Sequence, residues 1–186
     1  VALDRLIDGV GETEALAAWL GPRAEEHDFV LGEADVEVKT TRSERRIHVI
    51  HGLGQLTPTP GRPLHLMSVQ VTGAGAAGNG QTLPELIERI RRRLRSGRTD
   101  FDDRLTDCGW EDAQADRLYT TRLLVRSEPR FYTVDGAFPA ITSAGLSRIV
   151  TRPELVRSID YRIDVTDLEP EGTAPAEFAA APTHED

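Results

Sequence analysis

The sequence is poor in cysteine and in long apolar runs, and each shortage excludes a class of protein. Cys108 is the single cysteine among 186 residues, so the chain has neither an internal disulfide framework nor a cysteine-based zinc site. No stretch approaches the roughly 18 consecutive apolar residues of a membrane-spanning helix. The first residues also lack the basic and then apolar pattern of a signal peptide. We therefore expect a cytoplasmic protein with no membrane partner.

The sequence also lacks a surplus of positive charge. It contains 22 Lys and Arg residues against 31 Asp and Glu residues, for a formal net charge of −9. A protein that coats nucleic acid by bulk electrostatics is basic overall, so tight unaided binding to DNA is not expected. A site built from carboxylates and a metal ion needs only local positive charge, and this composition does not exclude it.

Residues 27–41 carry the most informative pattern in the chain. They form two short extended segments joined by a glycine-containing turn at Leu31–Ala34. Side chains two apart on a strand share a face. One face of the second segment, suited to burial, carries Val36, Val38 and Thr40, and the other carries Asp35, Glu37, Lys39 and Thr41. If the two segments pair, Asp28 of the first segment lies beside that polar face.

Carboxylates next to a lysine suit one chemistry in particular. Mg²⁺ is held by one or two carboxylates together with waters and substrate phosphate oxygens. Such a metal lowers the pKa of a bound water and neutralises charge that grows on a phosphate. A lysine beside it can orient the water or stabilise the charged phosphate. The alternative interpretation is ordinary solvated surface on a half-exposed strand.

The spacing of these residues resembles that of a known family. Asp28 followed by Glu37-Val38-Lys39 matches the PD-(D/E)XK pattern of restriction-endonuclease-like nucleases, with His27 in the place of the proline. The chain is similar to the bacterial PD-(D/E)XK motif protein family over residues 1–168. Further landmarks of this similarity are Trp19-Leu20-Gly21-Pro22, Thr40-Thr41, His48, Gln55-Leu56, Phe131-Tyr132-Thr133-Val134 and Phe138-Pro139-Ala140-Ile141-Thr142.

The resemblance implies an α/β fold in which helices flank a mixed, restriction-endonuclease-like β-sheet that is followed by a C-terminal β-rich extension. It implies a Mg²⁺- or Mn²⁺-dependent endonuclease of a restriction-like anti-phage system, acting on double-stranded DNA with methyltransferase and ATPase partners. Asp28 and Glu37 would bind the metal, and Lys39 would position the attacking water. Gln55, on a helix after the motif strand, would assist at the scissile phosphate.

The rival interpretation is a non-catalytic subunit that keeps the fold and binds DNA or partner proteins. In nucleases of this class an acid from the first core helix often completes the metal site. The resemblance places that acid upstream of Val1, so we expect the chain to begin inside a helix, with Glu12 and Glu14 as local candidates. The sequence does not specify the oligomeric state, and a homodimer is compatible with it.

A basic connector after the motif strand offers candidate DNA contacts. It runs from Thr41 to Arg46, and its possible phosphate ligands are Thr41, Arg42, Arg45 and Arg46. Exposed arginines are equally often only solvated. His48 follows in the next strand, and it is either a further DNA contact or a buried, hydrogen-bonded structural histidine.

A glycine-rich stretch, Gly73–Gly78, spells GxGxxG and raises a second alternative, a nucleotide-binding enzyme. That function requires a helix that begins near Gly78 and holds the phosphates at its N-terminus. The sequence instead predicts a helix that begins after Thr82, because Thr82 and Glu85 can form a capping box. The glycines are therefore interpreted as a loop of small residues.

The remaining pattern predicts the other elements of the fold. Helical spacing covers the first 20 residues with a break at Gly9 and Gly11. A tail rich in Pro, Ala, Glu and Thr, with little to bury, runs from Glu169 to Asp186, and we expect it to be disordered. The other predicted elements are a central strand at Leu64–Val71, a helix at Leu83–Arg95, a short helix capped by Thr99, a hairpin of Leu118–Val125 and Arg130–Val134 that turns at Ser127–Pro129, and a late strand at Ile159–Val165.

Overall fold

A computed structural model describes residues 1–23, 26–75, 78–170 and 174–179. The α-helices in this part of the chain are α1 (Ala2–Val10), α2 (Glu12–Ala18), α3 (Leu83–Arg93), α4 (Arg98–Asp107), α5 (Asp112–Leu118) and α6 (Ser143–Ile149). Its strands are β1 (Phe29–Val30), β2 (Asp35–Thr41), β3 (Ile47–His51), β4 (Leu64–Gly73), β5 (Leu123–Thr133) and β6 (Asp160–Asp164). Short 3₁₀ turns cover Gly21–Arg23, Pro153–Leu155 and Ala176–Phe178.

The main sheet has four strands in the order β1-β2-β4-β5. β2 and β4 run parallel, whereas β1 is antiparallel to β2 and β5 is antiparallel to β4. β3 and β6 form a second, antiparallel sheet. This mixed α/β arrangement is consistent with a restriction-endonuclease-like fold, and it confirms the predicted fold class.

β4 is the central strand, as predicted, and its two faces belong to two cores. Met67, Val69 and Val71 point to the larger core, which contains apolar side chains of α1, α2, α3 and α4. Leu64 and Leu66 point to a smaller core that they share with side chains of β3, β5 and β6. Because alternate side chains of a strand face opposite ways, one buried strand fixes the helices on one side and the second sheet on the other.

The predicted hairpin around Ser127–Pro129 is wrong. β5 is one continuous strand that pairs with β4 along its whole length. Ser127 lies opposite Gln70 and Arg130 opposite Ser68, so the Glu128-Pro129 pair forms a bulge instead of a turn. A proline, which cannot donate a ladder hydrogen bond, is tolerated at bulges and on edge strands, and β5 is the edge strand of this sheet.

Some predicted helix boundaries agree with the structure and others differ from it by a few residues. α1 and α2 are separated at Gly11, whose φ of 84° is favourable only for glycine. Thr82 caps α3 and forms the predicted capping box with Glu85. α3 ends at Arg93, two residues earlier than predicted, and Gly97, not Thr99, is the N-cap residue of α4. α5 and α6 were not predicted.

The C-terminal segment contributes to the core, contrary to the predicted disordered tail. Phe178 is 2% exposed and packs edge-on against Phe29 and at a tilt against Phe131. Gly9 permits this close packing, because a Cβ at that position would lie 1.9 Å from the carbonyl oxygen of Glu177. Residues 171–173 and 180–186 lie outside the described residues. Within the described part of the chain, no helix is long and apolar enough to cross a membrane.

Candidate active site

The β1–β2 hairpin brings the motif residues together. Phe29 pairs with Val36 and Val30 pairs with Asp35, which places Asp28 next to the middle of β2. The Asp28 carboxylate accepts a hydrogen bond from the backbone N–H of Val38 at 2.8 Å. Val38 is the residue between Glu37 and Lys39, so the hairpin itself fixes Asp28 against the motif strand. The predicted pairing of the two segments is confirmed.

Glu37 and Lys39 are not solvated surface. Glu37 is 3% exposed, and its Oε1 atom lies 2.7 Å from the Lys39 Nζ atom. In the parallel ladder they lie beside Leu66 and Ser68 of β4, which means that they face the second sheet. Burial of a carboxylate is costly without a charged partner, and Lys39 supplies one.

Gln55 orients the lysine. Its Oε1 atom accepts hydrogen bonds from Lys39 Nζ and from the His51 backbone N–H, each at 2.9 Å. Residues 52–56 form turns after β3 and not the expected helix. Gln55 therefore reaches the site from a turn. Its side-chain oxygen already accepts two hydrogen bonds, and its amide nitrogen is the group that can donate to a substrate.

Burial raises the pKa values of both carboxyl groups, and the charge of Asp28 raises that of Glu37 further. Desolvation is the largest cause for Glu37, followed by the charge of Asp28; Lys39 opposes both, and the pKa of Glu37 rises to about 7. Burial also raises the pKa of Asp28, against the opposing effects of the Val38 N–H and Lys39. A divalent cation between the two groups would favour the ionised form of each.

The donor set fits Mg²⁺ or Mn²⁺. The carboxylate oxygens of Asp28 and Glu37 are hard ligands, which suit Mg²⁺ or Mn²⁺ better than zinc. No group of three or more His, Cys, Asp and Glu side chains could hold a metal ion among the described residues. Two carboxylates plus waters and phosphate oxygens are nevertheless an ordinary Mg²⁺ environment. Asp28 and Glu37 are the residues that would hold the metal.

Neither local candidate for a third acid joins the site. The Glu12 carboxylate accepts hydrogen bonds from the backbone N–H groups of Arg95 and Ser96 and from the Ser96 hydroxyl. It therefore holds the connection between α3 and α4. Glu14 is exposed on α2.

Two of the predicted DNA contacts are interior residues. Arg46 is 2% exposed, and its guanidinium donates to the carbonyl and hydroxyl oxygens of Ser68, to the Ser127 hydroxyl and to the Glu128 carbonyl. His48 is also buried, with Nε2 2.7 Å from the Ser68 hydroxyl. Burial and nearby Arg46 lower the pKa of His48 to about 4, so its imidazole is neutral at pH 7. This polar network joins β3 to β4 and β5 and leaves no side chain free for phosphate.

The other candidates in the connector differ in their exposure. Arg42 is exposed. Arg45 is exposed as well, but it forms ion pairs with Asp164 and Asp167 at 2.6 and 3.1 Å. Thr41 is buried, and its hydroxyl accepts a hydrogen bond from the Ser43 backbone N–H. Arg42 is thus the connector residue whose position best suits a contact with phosphate.

The arginines of α3 are matched by carboxylates. Arg91 is buried and contacts Glu88, Asp102 and Asp112. Arg89 and Arg93 pair with Asp4, and Arg93 also pairs with Asp8. These pairs tie α3 to α1, α4 and α5, so most of this cluster has a structural role.

The glycine-rich stretch lacks the geometry of a dinucleotide site. α3 begins at Leu83, five residues beyond Gly78, and Gln81 instead bridges to Leu123. Ala76 and Ala77 lie outside the described residues. The second alternative function has no support in this arrangement.

Sequence reasoning missed a cavity beside Asp28. It has a volume of about 460 Å³, and its walls include Asp28, Val38, Trp19, Trp110 and Tyr119. The aromatic residues come from three separate parts of the chain, and no local pattern links them. Aromatic residues are scarce in the sequence, at 5% of residues, yet five of them line this cavity: Trp19, Phe29, Phe101, Trp110 and Tyr119.

The fold and the site together define a class. A mixed sheet whose hairpin gathers an aspartate, a glutamate and a lysine is the arrangement that the PD-(D/E)XK pattern implies. The chain belongs to the family described as "Putative PD-(D/E)XK family member, (DUF4420)", whose model matches residues 1–166. Comparison with curated proteins and with solved structures gives no significant match.

Proposed function

We propose that this protein is a metal-dependent endonuclease that hydrolyses phosphodiester bonds in DNA. The observation that carries the proposal is the convergence of Asp28, Glu37 and Lys39 at one point of the β1–β2 hairpin. The carboxyl groups of buried Glu37 and partly buried Asp28 both have raised pKa values, and Lys39 lies 2.7 Å from Glu37. Lys39 supplies one positive charge for two acids, and a divalent cation would balance the remaining negative charge.

Each residue has a distinct part in the proposed reaction. Asp28 and Glu37 would hold Mg²⁺ or Mn²⁺, which would supply activation of a water molecule and neutralisation of charge on the phosphate. Lys39, held by the Gln55 carbonyl, directs its ammonium group to the attacking water and to the charge that develops on phosphorus. The Gln55 amide nitrogen donates to a phosphate oxygen. The water oxygen bonds to phosphorus, the bond from phosphorus to one sugar oxygen breaks, and the proton lost by water balances the proton gained by that sugar oxygen.

The test is cleavage of plasmid DNA, methylated and unmethylated, in Mg²⁺ or Mn²⁺. We expect nicking or cutting that is lost in Lys39→Ala and in Glu37→Ala. Asp35→Asn is the matched control, because Asp35 lies on the same strand but is 3.0 Å from Arg62 in an ion pair and belongs to no metal pair. Cleavage that persists in Lys39→Ala would contradict the assigned site.

A non-catalytic subunit of a restriction-like anti-phage system is the second candidate. The observation that favours it is the charge of the chain, −9 overall, with most α3 arginines already paired to carboxylates. Methyltransferase or ATPase partners would then supply the grip on DNA. The two candidates differ in metal binding, because a ligand stabilises the state that binds it. A Mn²⁺-dependent rise in Tm that Glu37→Ala abolishes favours the enzyme, and no rise favours the subunit.

A further inference from the structure

The cavity borders the candidate metal site at Asp28, which lines it. Asp28 and Val38 form one wall, and the Val38 N–H is the group that fixes the Asp28 carboxylate. Glu37 and Lys39 face the opposite side of β2, so Asp28 lies at the boundary between the cavity and the rest of the site. At about 460 Å³, the cavity falls within the range of small-molecule sites, roughly 300–1,000 Å³.

Ring stacking and hydrogen bonds fix the orientation of two aromatic side chains in the cavity wall. Trp110 and Tyr119 stack with ring centroids 5.1 Å apart and planes 21° apart. The Trp110 indole N–H donates to Asp112 at 2.7 Å, and Arg91 holds the same carboxylate at 3.0 Å. Tyr119 nevertheless remains 39% exposed. The rings are therefore oriented in advance and accessible, as a stacking surface requires.

We propose that this cavity receives one unstacked base of the DNA strand that is cut, an inference that rests on the function proposed above. A phosphate bound at Asp28 would lie next to the cavity, because Asp28 forms part of its wall. The walls are mainly apolar and aromatic, so they meet a base by its π face, and base–aromatic stacking contributes about 1–3 kcal/mol per base. Few hydrogen-bonding groups line the cavity, so recognition by stacking would tolerate any base.

This geometry selects a class of substrate. A base within a paired duplex is stacked between its neighbours, and it must leave the duplex before it can enter a pocket. Single-stranded DNA, or an unpaired nucleotide in a duplex, avoids most of that cost. Stacking also relies less on phosphate neutralisation, which suits a chain with a net charge of −9. The preferred substrate is therefore DNA with unpaired nucleotides.

Intrinsic fluorescence gives a direct test, because Trp19 and Trp110 are the only two tryptophans in the sequence and both line the cavity. The wild-type chain is titrated in Ca²⁺ at low salt with a 12-nucleotide oligothymidylate, an abasic strand of equal length and a 12-base-pair blunt duplex. We expect quenching and tight binding by oligothymidylate only. Equal binding of the abasic strand would overturn the proposal. No change in fluorescence would overturn it as well, and this result is expected if the cavity instead receives an apolar side chain of a partner protein.

A matched pair at position 119 separates stacking from packing. Tyr119→Phe keeps the π face and should bind oligothymidylate as the wild type does, whereas Tyr119→Leu should weaken binding about 5- to 150-fold, from the stacking range given above. Equal affinities of the two variants would refute the role of the ring.

Cleavage assays on the same variants keep this inference distinct from the nuclease proposal. Lys39-dependent cleavage with no difference between Tyr119→Phe and Tyr119→Leu would retain the nuclease and remove the base pocket. Base-dependent binding that differs between the variants, without cleavage in Mg²⁺ or Mn²⁺, would retain the pocket and remove the hydrolytic function.

Discussion

Glu37→Gln should stabilise the metal-free protein at pH 8 while it destroys the metal site. The pKa of Glu37 is raised from 4.5 to about 7 in the folded chain. The folded state therefore binds more protons than the unfolded state between these values, and stability falls as pH rises through this window. Above pH 7 the wild type carries the whole cost of an ionised buried carboxylate. Gln has nearly the same shape and carries no charge, so the variant avoids that cost.

The shift in pKa sets the size of the effect. A difference of about 2.5 pKa units corresponds to about 3 kcal/mol at 1.36 kcal/mol per unit. For a chain of this size, each kcal/mol moves Tm by about 2–4 °C. Glu37→Gln should therefore melt about 6–12 °C above the wild type at pH 8, and the difference should shrink almost to zero near pH 4.5.

Thermal denaturation from pH 4.5 to 8 in a chelator measures this difference in Tm, and Mn²⁺ should cancel most of it at pH 8. At a Mn²⁺ concentration 100-fold above Kd, the wild type should gain about 2.7 kcal/mol, whereas Glu37→Gln should gain nothing. Asp35→Asn is the control: Asp35 is 1% exposed and bonded to Arg62 and Thr59, so its loss should lower Tm and leave the Mn²⁺ response intact. If the two Tm curves of Glu37→Gln and wild type run parallel from pH 4.5 to 8, the reasoning about Glu37 fails.

Four further substitutions test the fold and the site. Lys39→Ala should abolish cleavage but keep a Mn²⁺-dependent rise in Tm, because Lys39 binds no metal; loss of both would assign it a different role. Arg46→Met should cost about 2–4 kcal/mol of unfolding free energy in urea titrations, through lost hydrogen bonds to a charged group, whereas Arg42→Ala should stay within about 0.5 kcal/mol and lower DNA affinity instead. Phe178→Ala should cost about 3–5 kcal/mol, and an unchanged urea midpoint would show that the C-terminal segment does not belong to the core.

The local part of the site was open to prediction from sequence. Strict alternation in β2 and a turn at Leu31–Ala34 specify a hairpin, and a hairpin places Asp28 next to Glu37 and Lys39. The capping box at Thr82 and Glu85 is local in the same sense, because both hydrogen bonds form within one helical turn. Interactions between residues that lie close together in the chain can therefore be predicted from the sequence.

Burial was the part that local pattern did not reveal. Arg46 stands in a polar connector, and its neighbours there suggest surface. Its partners Ser68 and Ser127 are 22 and 81 positions away, so its burial depends on how β3 lies against β4 and β5. The hairpin predicted at Pro129 was wrong for the same reason. A turn and a bulge can have the same local sequence, and only the register with β4 distinguishes them.

The position of Glu37 shows why the motif alone was ambiguous between a solvated pair and a metal site. On an isolated hairpin its carboxylate would be solvated, and burial, the largest cause of its raised pKa, would be absent. The second sheet, formed by β3 and late strand β6, changes this, because Glu37 faces that side and becomes desolvated there. Gln55, which follows β3, then bonds to Lys39. The strand that carries the motif supplies the residues, and distant strands supply the low-dielectric environment that raises the pKa of Glu37.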